Sequence, residues 1–311
     1  MLAREGRPRA RIRRLGAPAC DNRSVAQFTD EYGVVVTYYV WPVDRPRAVV
    51  QVAHGLGDHA LRYLGLVGAL NAAGYSVYAD DHRGHGRTGL DQNAGDSTML
   101  GKLGPGGLRA AVGDIHQLSG IIAAENLGIP LVLLGHSWGS LMVQTILNRW
   151  SSEYSAAVLT GTAYRIPGQM EGADLNKRHK SLGTTGYEWL SRDPAIAQAF
   201  VDDPLTFYAD ALKLFGLVDG LRLFGRPARD LPNKLPLLIQ IGEEDPLGGV
   251  ASIRRLAAAY RRRSGLTDVT EIVYPGARHE IFNETNKAEV MADLVAWLDA
   301  RFPAVSRHRA V

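Results

Sequence analysis

The stretch Leu131-Val-Leu-Leu-Gly-His-Ser-Trp-Gly-Ser140 decides how the rest of the chain is interpreted. Its four leading apolar residues predict a short strand buried on both faces, and the composition of residues 140–150 predicts a helix. A Gly-x-Ser-x-Gly run, with Gly135, Ser137 and Gly139, lies between them. A turn this sharp brings strand and helix so close that side chains two positions from the serine would collide. The stretch therefore predicts a strained turn that projects the Ser137 hydroxyl at the amino end of a helix.

The composition is ordinary for a globular protein. The chain has 311 residues, 46% of them hydrophobic and 22% charged, which suits one large α/β domain or two small ones. The net charge is +3, and the first fourteen residues carry six arginines against Glu5. We predict that residues 1–24 form a disordered basic tail. Beyond this tail the charges nearly balance and no basic stripe is interleaved with aromatic residues, so nucleic-acid binding is not expected.

Cysteine content and hydropathy are evidence about the cellular compartment of the protein. Cys20 is the only cysteine, so no intrachain disulfide can form and nothing indicates an oxidising compartment. Arg11-Ile-Arg-Arg14 occupies the place where a signal peptide needs an apolar stretch. No window approaches the roughly 20 apolar residues of a membrane-spanning helix. A cytoplasmic protein is therefore predicted, and peripheral contact with a membrane is left open.

Apolar runs alternate with helical patterns along most of the chain. Besides the strand at 131–134, strands are predicted at 25–29, 34–40, 48–53, 75–79, 156–159, 237–241 and 269–274. Helices are predicted from about 60 to 73 and at 107–126, 140–150, 250–263 and 287–301, with a polar loop after Thr88. Such alternation predicts an α/β fold with a doubly wound, mostly parallel sheet.

The alternation breaks between residues 160 and 232. This stretch lacks a clear strand and mixes glycines with short helical patches and with apolar residues such as Trp189 and Phe207. It is too long for a loop, so we predict a mainly helical cap inserted over the carboxyl edge of the sheet. The cap would divide a core built from residues 25–159 and 233–303, with a tail at 304–311. Its aromatic residues could line a lipid channel or form a small core of their own.

A serine hydroxyl is a poor nucleophile at neutral pH and needs a base within hydrogen-bond reach. His279 follows the predicted strand that ends at Tyr274, and functional groups gather at the carboxyl ends of such strands. The neighbouring strand is followed by Glu243, Glu244 and Asp245. A serine, then an acid, then a histidine is the chain order of a catalytic triad on this kind of sheet. His279 is the predicted general base, and one of the three acids would fix its tautomer.

Acyl transfer also needs two hydrogen-bond donors for the oxyanion. One is the backbone N–H of Trp138, the residue after the serine, and the other is assigned to the N–H of Leu56 in the loop after the predicted strand at 48–53. No cofactor is predicted. The histidine pairs His54/His59 and His82/His85 lack an evident third ligand, so a metal site is not expected either.

Several motifs together are similar to those of monoacylglycerol lipases and of the wider lysophospholipase and serine aminopeptidase-like group of α/β-hydrolases. They are His54-Gly-Leu-Gly-Asp-His59 with Arg62-Tyr63, Asp81-His-Arg-Gly-His-Gly86, Gly135-His-Ser-Trp-Gly139, and Tyr274-Pro-Gly-Ala-Arg-His279 with Asn283-Glu284. The resemblance spans about residues 25–302. It implies the α/β-hydrolase fold with an inserted cap, and it favours Asp245 over its two glutamate neighbours as the third member of a Ser137, Asp245, His279 triad.

The resemblance implies a serine hydrolase that cleaves carboxylic esters through an acyl-enzyme and acts on a small, lipid-like ester, as monoacylglycerol lipases do. A lysophospholipase, a short-chain carboxylesterase and an aminopeptidase remain alternatives, as does a catalytically silent binding protein of the same fold. A peptidase would need an acidic residue near the site, and Glu171 and Asp174 are candidates. Trp138 stands where methionine is common in the group, and its bulk is expected to narrow the acyl pocket. The oligomeric state is left open.

Overall fold

The structure is a computed structural model that describes residues 22–172, 174–231 and 234–304. Most of the predicted amino-terminal tail and all but one residue of the predicted carboxyl-terminal tail lie outside these residues. Where the tail prediction overlaps the structure, its boundary is wrong, because Ser24 already pairs with Val40 in the first strand.

Within the described residues the chain forms eight strands and eight α-helices. The strands are β1 (Ser24–Thr29), β2 (Val35–Trp41), β3 (Val49–Ala53), β4 (Ser76–Asp80), β5 (Leu131–His136), β6 (Ala156–Thr160), β7 (Leu237–Gly242) and β8 (Val269–Tyr274). The helices are α1 (Leu64–Ala72), α2 (Gly86–Gln92), α3 (Gly107–Glu125), α4 (Trp138–Trp150), α5 (Pro194–Asp202), α6 (Ala211–Arg222), α7 (Gly249–Arg262) and α8 (Lys287–Asp299).

The eight strands form one sheet in the order β1-β2-β4-β3-β5-β6-β7-β8. Strand β2 is antiparallel to β1 and to β4, whereas all pairings from β4 through β3 to β8 are parallel. The predicted doubly wound, mostly parallel sheet is therefore confirmed. The direction of winding changes at β3, because β4 lies on one side of it and β5 on the other. Ligands of such sheets bind at the carboxyl ends of the strands beside this change.

Helices cover both faces of the sheet, and β5 shows how the core is shared between them. Leu131 and Leu133 belong to the apolar cluster that contains α3, α4 and α7, whereas Val132 and Leu134 belong to the cluster of α1 and α8. Successive strand residues point to opposite faces, so a continuous apolar run is what a strand covered on both sides requires. This confirms the prediction of a doubly buried central strand.

Two local predictions are corrected. Helix α2 begins at Gly86, and its second half occupies the start of the polar loop expected after Thr88. The N–H of Arg87, in its first turn, donates to the Asp81 carboxylate at 2.7 Å. The capping group thus precedes the helix by several residues, outside the usual local capping pattern. The continuous helix expected up to residue 73 instead begins as a 3₁₀ turn, Ala60–Tyr63, before α1.

Residues 161–236, named here the β6–β7 segment, hold α5 and α6, and their described part contains no strand. Asp193 caps α5 by accepting from the N–H of Ala195, with a proline at the first helical position. Helix α6 is interrupted at Gly216, where φ is +67°. Helix α5 has 9 residues and α6 has 12, and most of the remaining described segment is turns and irregular chain, so the region is helical in part and not mainly helical as expected. No helix in the described parts of the chain is both long and apolar enough to cross a membrane.

Strands β3 and β5 pack very closely against the start of α4. A Cβ atom added at Gly139 would overlap the carbonyl oxygen of Ala53, and one added at Gly135 would lie 2.7 Å from the Cα of Ser140. Real Cβ contacts are longer than this, so only glycine permits the turn between β5 and α4. The structure therefore confirms the prediction that side chains at positions 135 and 139 would collide at this turn.

Gly139→Ala should destabilise the fold by about 1–3 kcal/mol or more, because β3 and α4 would have to move apart. Gly113→Ala in α3 is the matched control: an added methyl there meets nothing within 4 Å, so better helix propensity should raise stability by up to about 1 kcal/mol. Chemical denaturation followed by circular dichroism measures both. Equal stabilities of the two variants would contradict the close approach.

Candidate active site

Ser137 occupies the turn between β5 and α4 in a conformation that non-glycine residues rarely adopt, with φ +53° and ψ −126°. Its N–H donates to the carbonyl of Thr160 at 2.9 Å, and its own carbonyl accepts from the hydroxyl of Ser140 at 2.6 Å. These bonds hold the strained backbone in place. Residues 131–136 are all buried, whereas Ser137 is partly exposed. The turn thus presents the serine at the carboxyl edge of the sheet, as predicted.

His279 and Asp245 meet at the same edge. Asp245 follows β7 and is buried, and its carboxylate lies 2.9 Å from Nδ1 of His279. The N–H of Leu247 donates to the same carboxylate oxygen at 2.9 Å. Glu243 and Glu244 are exposed instead. An imidazole whose Nδ1–H donates to a carboxylate keeps Nε2 as its free acceptor, and Nε2 of His279 is buried without a partner among the described residues.

Aromatic rings surround His279 beside the serine turn. Its ring centroid lies 4.8 Å from that of His136, the residue before Ser137, and 4.7 Å from that of Trp189. Gly161 makes this packing fit, because a Cβ there would lie 3.0 Å from the His279 ring. The two neighbours on either side of the imidazole restrict its rotation. His279 is therefore held next to the turn that carries the serine.

A cavity opens above the serine and encloses about 900 Å³ of empty space, counted out to its mouth. One wall belongs to the core of the fold and includes Ser137, Trp138 and Leu56. The other wall belongs to the β6–β7 segment. The residues that line the cavity from this segment are Met170, Glu171, Gly172, Asp174, Leu175, Asn176, Gly186, Tyr187, Trp189, Phe200, Phe207, Tyr208, Ala209, Ala211 and Leu223.

The loop that carries Leu56 is bonded to the β6–β7 segment. The N–H of Phe207 donates to the carbonyl of Gly57 at 3.2 Å, and a Cβ at Gly57 would lie 2.5 Å from the Phe207 carbonyl oxygen. His59 adds a second link, since its Nε2 lies 2.9 Å from the Asp203 carboxylate. His59 therefore links the Leu56 loop to the β6–β7 segment a second time.

A buried ion network joins the Leu56 loop to the His279 loop. Both terminal nitrogens of Arg62 contact the Glu280 carboxylate, at 2.7 and 2.9 Å, and one also contacts Asp58 at 3.1 Å. Asp58 accepts a further hydrogen bond from the Tyr63 hydroxyl at 2.9 Å. Burial alone would lower the pKa of Arg62, but the two carboxylates outweigh it and raise that pKa. Because Glu280 follows His279 directly, Arg62 ties the two loops together.

The remaining histidines near the site are structural. His54 places Nδ1 2.7 Å from the Gly55 carbonyl and accepts from the N–H of His82 at 3.0 Å, while Nδ1 of His82 lies 2.7 Å from Asp80. Burial, followed by the charges of His82 and His85, holds the pKa of His54 well below its usual range. Burial also lowers the pKa of His85 to about 3, so both rings are neutral at neutral pH. In the described part of the chain, no cluster of three or more His, Cys, Asp or Glu side chains is arranged around a metal position.

Some contacts of this region cannot be found in the sequence. Glu280 stands beside His279 in the chain, and this adjacency is its only signal, because its partner Arg62 is 218 residues away. Asp203 and Trp189 lie in the β6–β7 segment, where no periodic pattern indicates which side chains turn toward the sheet. Their contacts with His59 and His279 depend on how that segment folds back.

A sheet of this order, with a strained serine turn after its fifth strand, defines an α/β-hydrolase. The chain belongs to the family described as serine aminopeptidase, S33, whose sequence profile matches residues 44–286. It is 35% identical to a monoacylglycerol lipase of Mycolicibacterium smegmatis over 89% of this chain and 97% of that protein. The chain is thus a monoacylglycerol lipase-like α/β-hydrolase.

Solved structures agree with this family. A carboxyl esterase from Bacillus coagulans superimposes with a TM-score of 0.78 and 25% identity, covering 90% of this chain and 99% of that one. A monoacylglycerol lipase of Paleococcus ferrophilus superimposes with a TM-score of 0.64 and 27% identity, covering 85% and 99%. The likeness extends over most of the chain.

Arg62→Met should destabilise the fold by about 3–5 kcal/mol, because Asp58 and Glu280 would stay buried without a cation. Arg87→Met is the matched control: Arg87 pairs with Asp91 at the same i,i+4 spacing, but its side chain is 62% exposed. Its removal should cost about 1 kcal/mol or less. Urea denaturation compares the two, and similar losses would show that burial of the Arg62 network carries no special weight.

Proposed function

We propose that this protein is a serine hydrolase that cleaves carboxylic esters with a lipid-like acyl chain, most similar in activity to monoacylglycerol lipases. Ser137 is the nucleophile, His279 the general base and acid, and Asp245 the residue that orients the imidazole. The backbone N–H groups of Leu56 and Trp138 form the oxyanion hole. The family and the names of its relatives support the ester chemistry.

The proposed reaction has two halves. The Ser137 oxygen attacks the ester carbonyl while Nε2 of His279 takes the hydroxyl proton, and the oxyanion accepts hydrogen bonds from the two N–H groups. The bond to the alcohol then breaks, and His279 returns the proton to the leaving oxygen. A water molecule, deprotonated by the same nitrogen, attacks the acyl-enzyme, which releases the acid and regenerates Ser137.

The observation that carries this proposal is the state of the His279 ring. Its Nδ1 is held at 2.9 Å by a buried carboxylate, and its Nε2 is buried without a partner in the described residues. A solvated loop histidine would have neither property. Beside it, a strained turn that joins β5 directly to α4 carries Ser137, which lines the cavity. A fixed base next to a partly exposed serine is the arrangement that activates a hydroxyl.

A second candidate activity concerns amine-bearing substrates. The sequence leaves the position of Glu171 and Asp174 open, and the structure places both in the wall of the cavity that holds Ser137. Carboxylates there would attract a substrate ammonium group, as an aminopeptidase requires. Amino-acid p-nitroanilides measured beside monoacylglycerols separate the two activities. We expect ester turnover to exceed anilide turnover, because most of the cavity wall is apolar.

Ser137→Ala should abolish labelling by a fluorophosphonate probe and abolish ester turnover while the protein still folds. Asp245→Asn should lower kcat by about ten-thousandfold, because the imidazole loses its orienting acceptor. Glu243→Gln is the matched control: the same type of change on the same loop, at an exposed side chain, should leave kcat unchanged. Kinetics with p-nitrophenyl esters and mass spectrometry of the labelled protein give the readout. A wild-type protein that is inert to both esters and probe would instead support a silent binding protein of this fold.

We further propose that the protein contacts membranes peripherally through helix α6. Leu217, Val218 and Leu221 of this helix are 73%, 63% and 60% exposed. Exposed apolar side chains grouped in this way mark an interaction surface. Two exposed arginines follow, Arg226 and Arg229, and would attract anionic headgroups. Such contact would bring the cavity, which α6 lines, to the lipid. We also propose a cytoplasmic location, because the single cysteine gives no sign of an oxidising compartment.

Leu217→Ser combined with Leu221→Ser should reduce co-flotation with phosphatidylglycerol vesicles by about tenfold or more, since apolar insertion contributes to binding. Leu127→Ser is the control, because Leu127 is 84% exposed but precedes β5, at the opposite edge of the sheet from the cavity. The assay uses the full chain at moderate salt. Unchanged flotation of the double variant, or equal loss in the control, would contradict docking through α6.

A further inference from the structure

The cavity above Ser137 has two chemically different regions. Trp138 and Leu141, in the first turn of α4, face Ala211 and Leu223 from α6 and its end. This region is apolar, and it begins immediately beside the serine. The acidic side chains that line the cavity, Glu171 and Asp174, come from a different part of the chain, before α5. An acyl chain bound to Ser137 would lie in the apolar region, because transfer of its methylene groups out of water is favourable there.

Trp138 is locked at the edge of this apolar region. Its side chain is 3% exposed. The indole stacks on the ring of His85 at a centroid distance of 5.2 Å and on that of Phe215 at 5.4 Å, and it meets His82 edge-on at 5.6 Å. An aromatic ring held by three others cannot swing aside without breaking their packing. The indole is therefore a fixed part of the cavity wall and not a movable side chain.

Phe215 supports this wall from the β6–β7 segment. It lies one turn after Ala211 on α6, on the same side of the helix, and packs against the apolar cluster that contains Trp138. The stack of the two rings therefore bridges the core of the fold and the segment above it. Trp138 lines the cavity, whereas Phe215 supports the indole from behind.

We propose that the Trp138 indole, held in place by Phe215, forms the end wall of the acyl-binding region and sets the longest acyl chain that the enzyme accepts. This inference rests on the proposed esterase function. Trp138 lines the cavity and Phe215 stacks on its indole from the β6–β7 segment, so the position of the wall depends on both. Reducing either ring opens space between α4 and α6 into which further methylene groups of a chain can extend. Trp138 and Phe215 affect specificity through their side chains. This role is separate from the proposed role of the Trp138 backbone N–H in the oxyanion hole.

The test measures kcat/KM for a series of p-nitrophenyl esters from butyryl to stearoyl with the full-length protein. Trp138→Met and Phe215→Leu should each raise the ratio of kcat/KM for the palmitoyl ester to that for the butyryl ester by about tenfold or more. The double variant should gain less than the product of the single gains, because either change opens the same wall. A ratio is used because it does not depend on the fraction of protein that folds correctly.

Trp150→Met is the matched control. It makes the same change at the far end of the same helix, away from the cavity. There the Trp150 indole stacks on the His116 ring at a centroid distance of 3.9 Å. Its palmitoyl-to-butyryl ratio should equal that of the wild type. If Trp138→Met does not fold, Phe215→Leu alone carries the test.

The inference is overturned if the folded variants cleave the butyryl ester but keep the wild-type ratio, or if the control shifts the ratio equally. Those results leave the esterase proposal intact. A wild-type protein that cleaves no ester of the series rejects both together.

Discussion

The structure depends on one close approach, that of the α4 backbone to the end of β3. With no side chain at Gly139, the helix can begin directly against the Ala53 carbonyl, and the chain must reverse within one residue to reach it. That residue is Ser137, which takes up the strain as a positive φ. The energy of the surrounding packing maintains a conformation that the serine alone would not adopt. The proposed chemistry depends on the position that this strained conformation gives to the Ser137 hydroxyl.

The neighbouring loops are fixed to the same place by charge and by backbone bonds. Arg62 joins the loop of Leu56 to the loop of His279, and Phe207 joins the Leu56 loop to the β6–β7 segment. The proposed nucleophile, base and oxyanion donors therefore come from separate parts of the chain but share one rigid frame. Preorganisation of this kind is what allows donors to stabilise a charge without moving. The segment above the sheet is part of this frame as well as part of the cavity wall.

How much of this the sequence reveals depends on whether the cause is local. Apolar runs predict the strands, and the glycine spacing predicts the turn at Ser137, because both act over a few residues. Helix α2 is not predicted from the sequence, because the carboxylate that accepts from its first turn belongs to Asp81, several residues before the helix. The antiparallel placement of β2 and the bond between Arg62 and Glu280 depend on contacts between distant parts of the chain. The family resemblance supplies the choice of Asp245, which no local pattern separates from its glutamate neighbours.

The proposed chemistry requires the strained serine, the fixed imidazole and two backbone N–H groups to converge on one reacting carbonyl. A crystal structure of the protein after reaction with an alkyl fluorophosphonate tests this convergence. We expect phosphorus bonded to the Ser137 oxygen, a phosphoryl oxygen that accepts hydrogen bonds from the N–H groups of Leu56 and Trp138, and Nε2 of His279 beside the adduct. An adduct on another residue, or a phosphoryl oxygen turned away from both N–H groups, would contradict it.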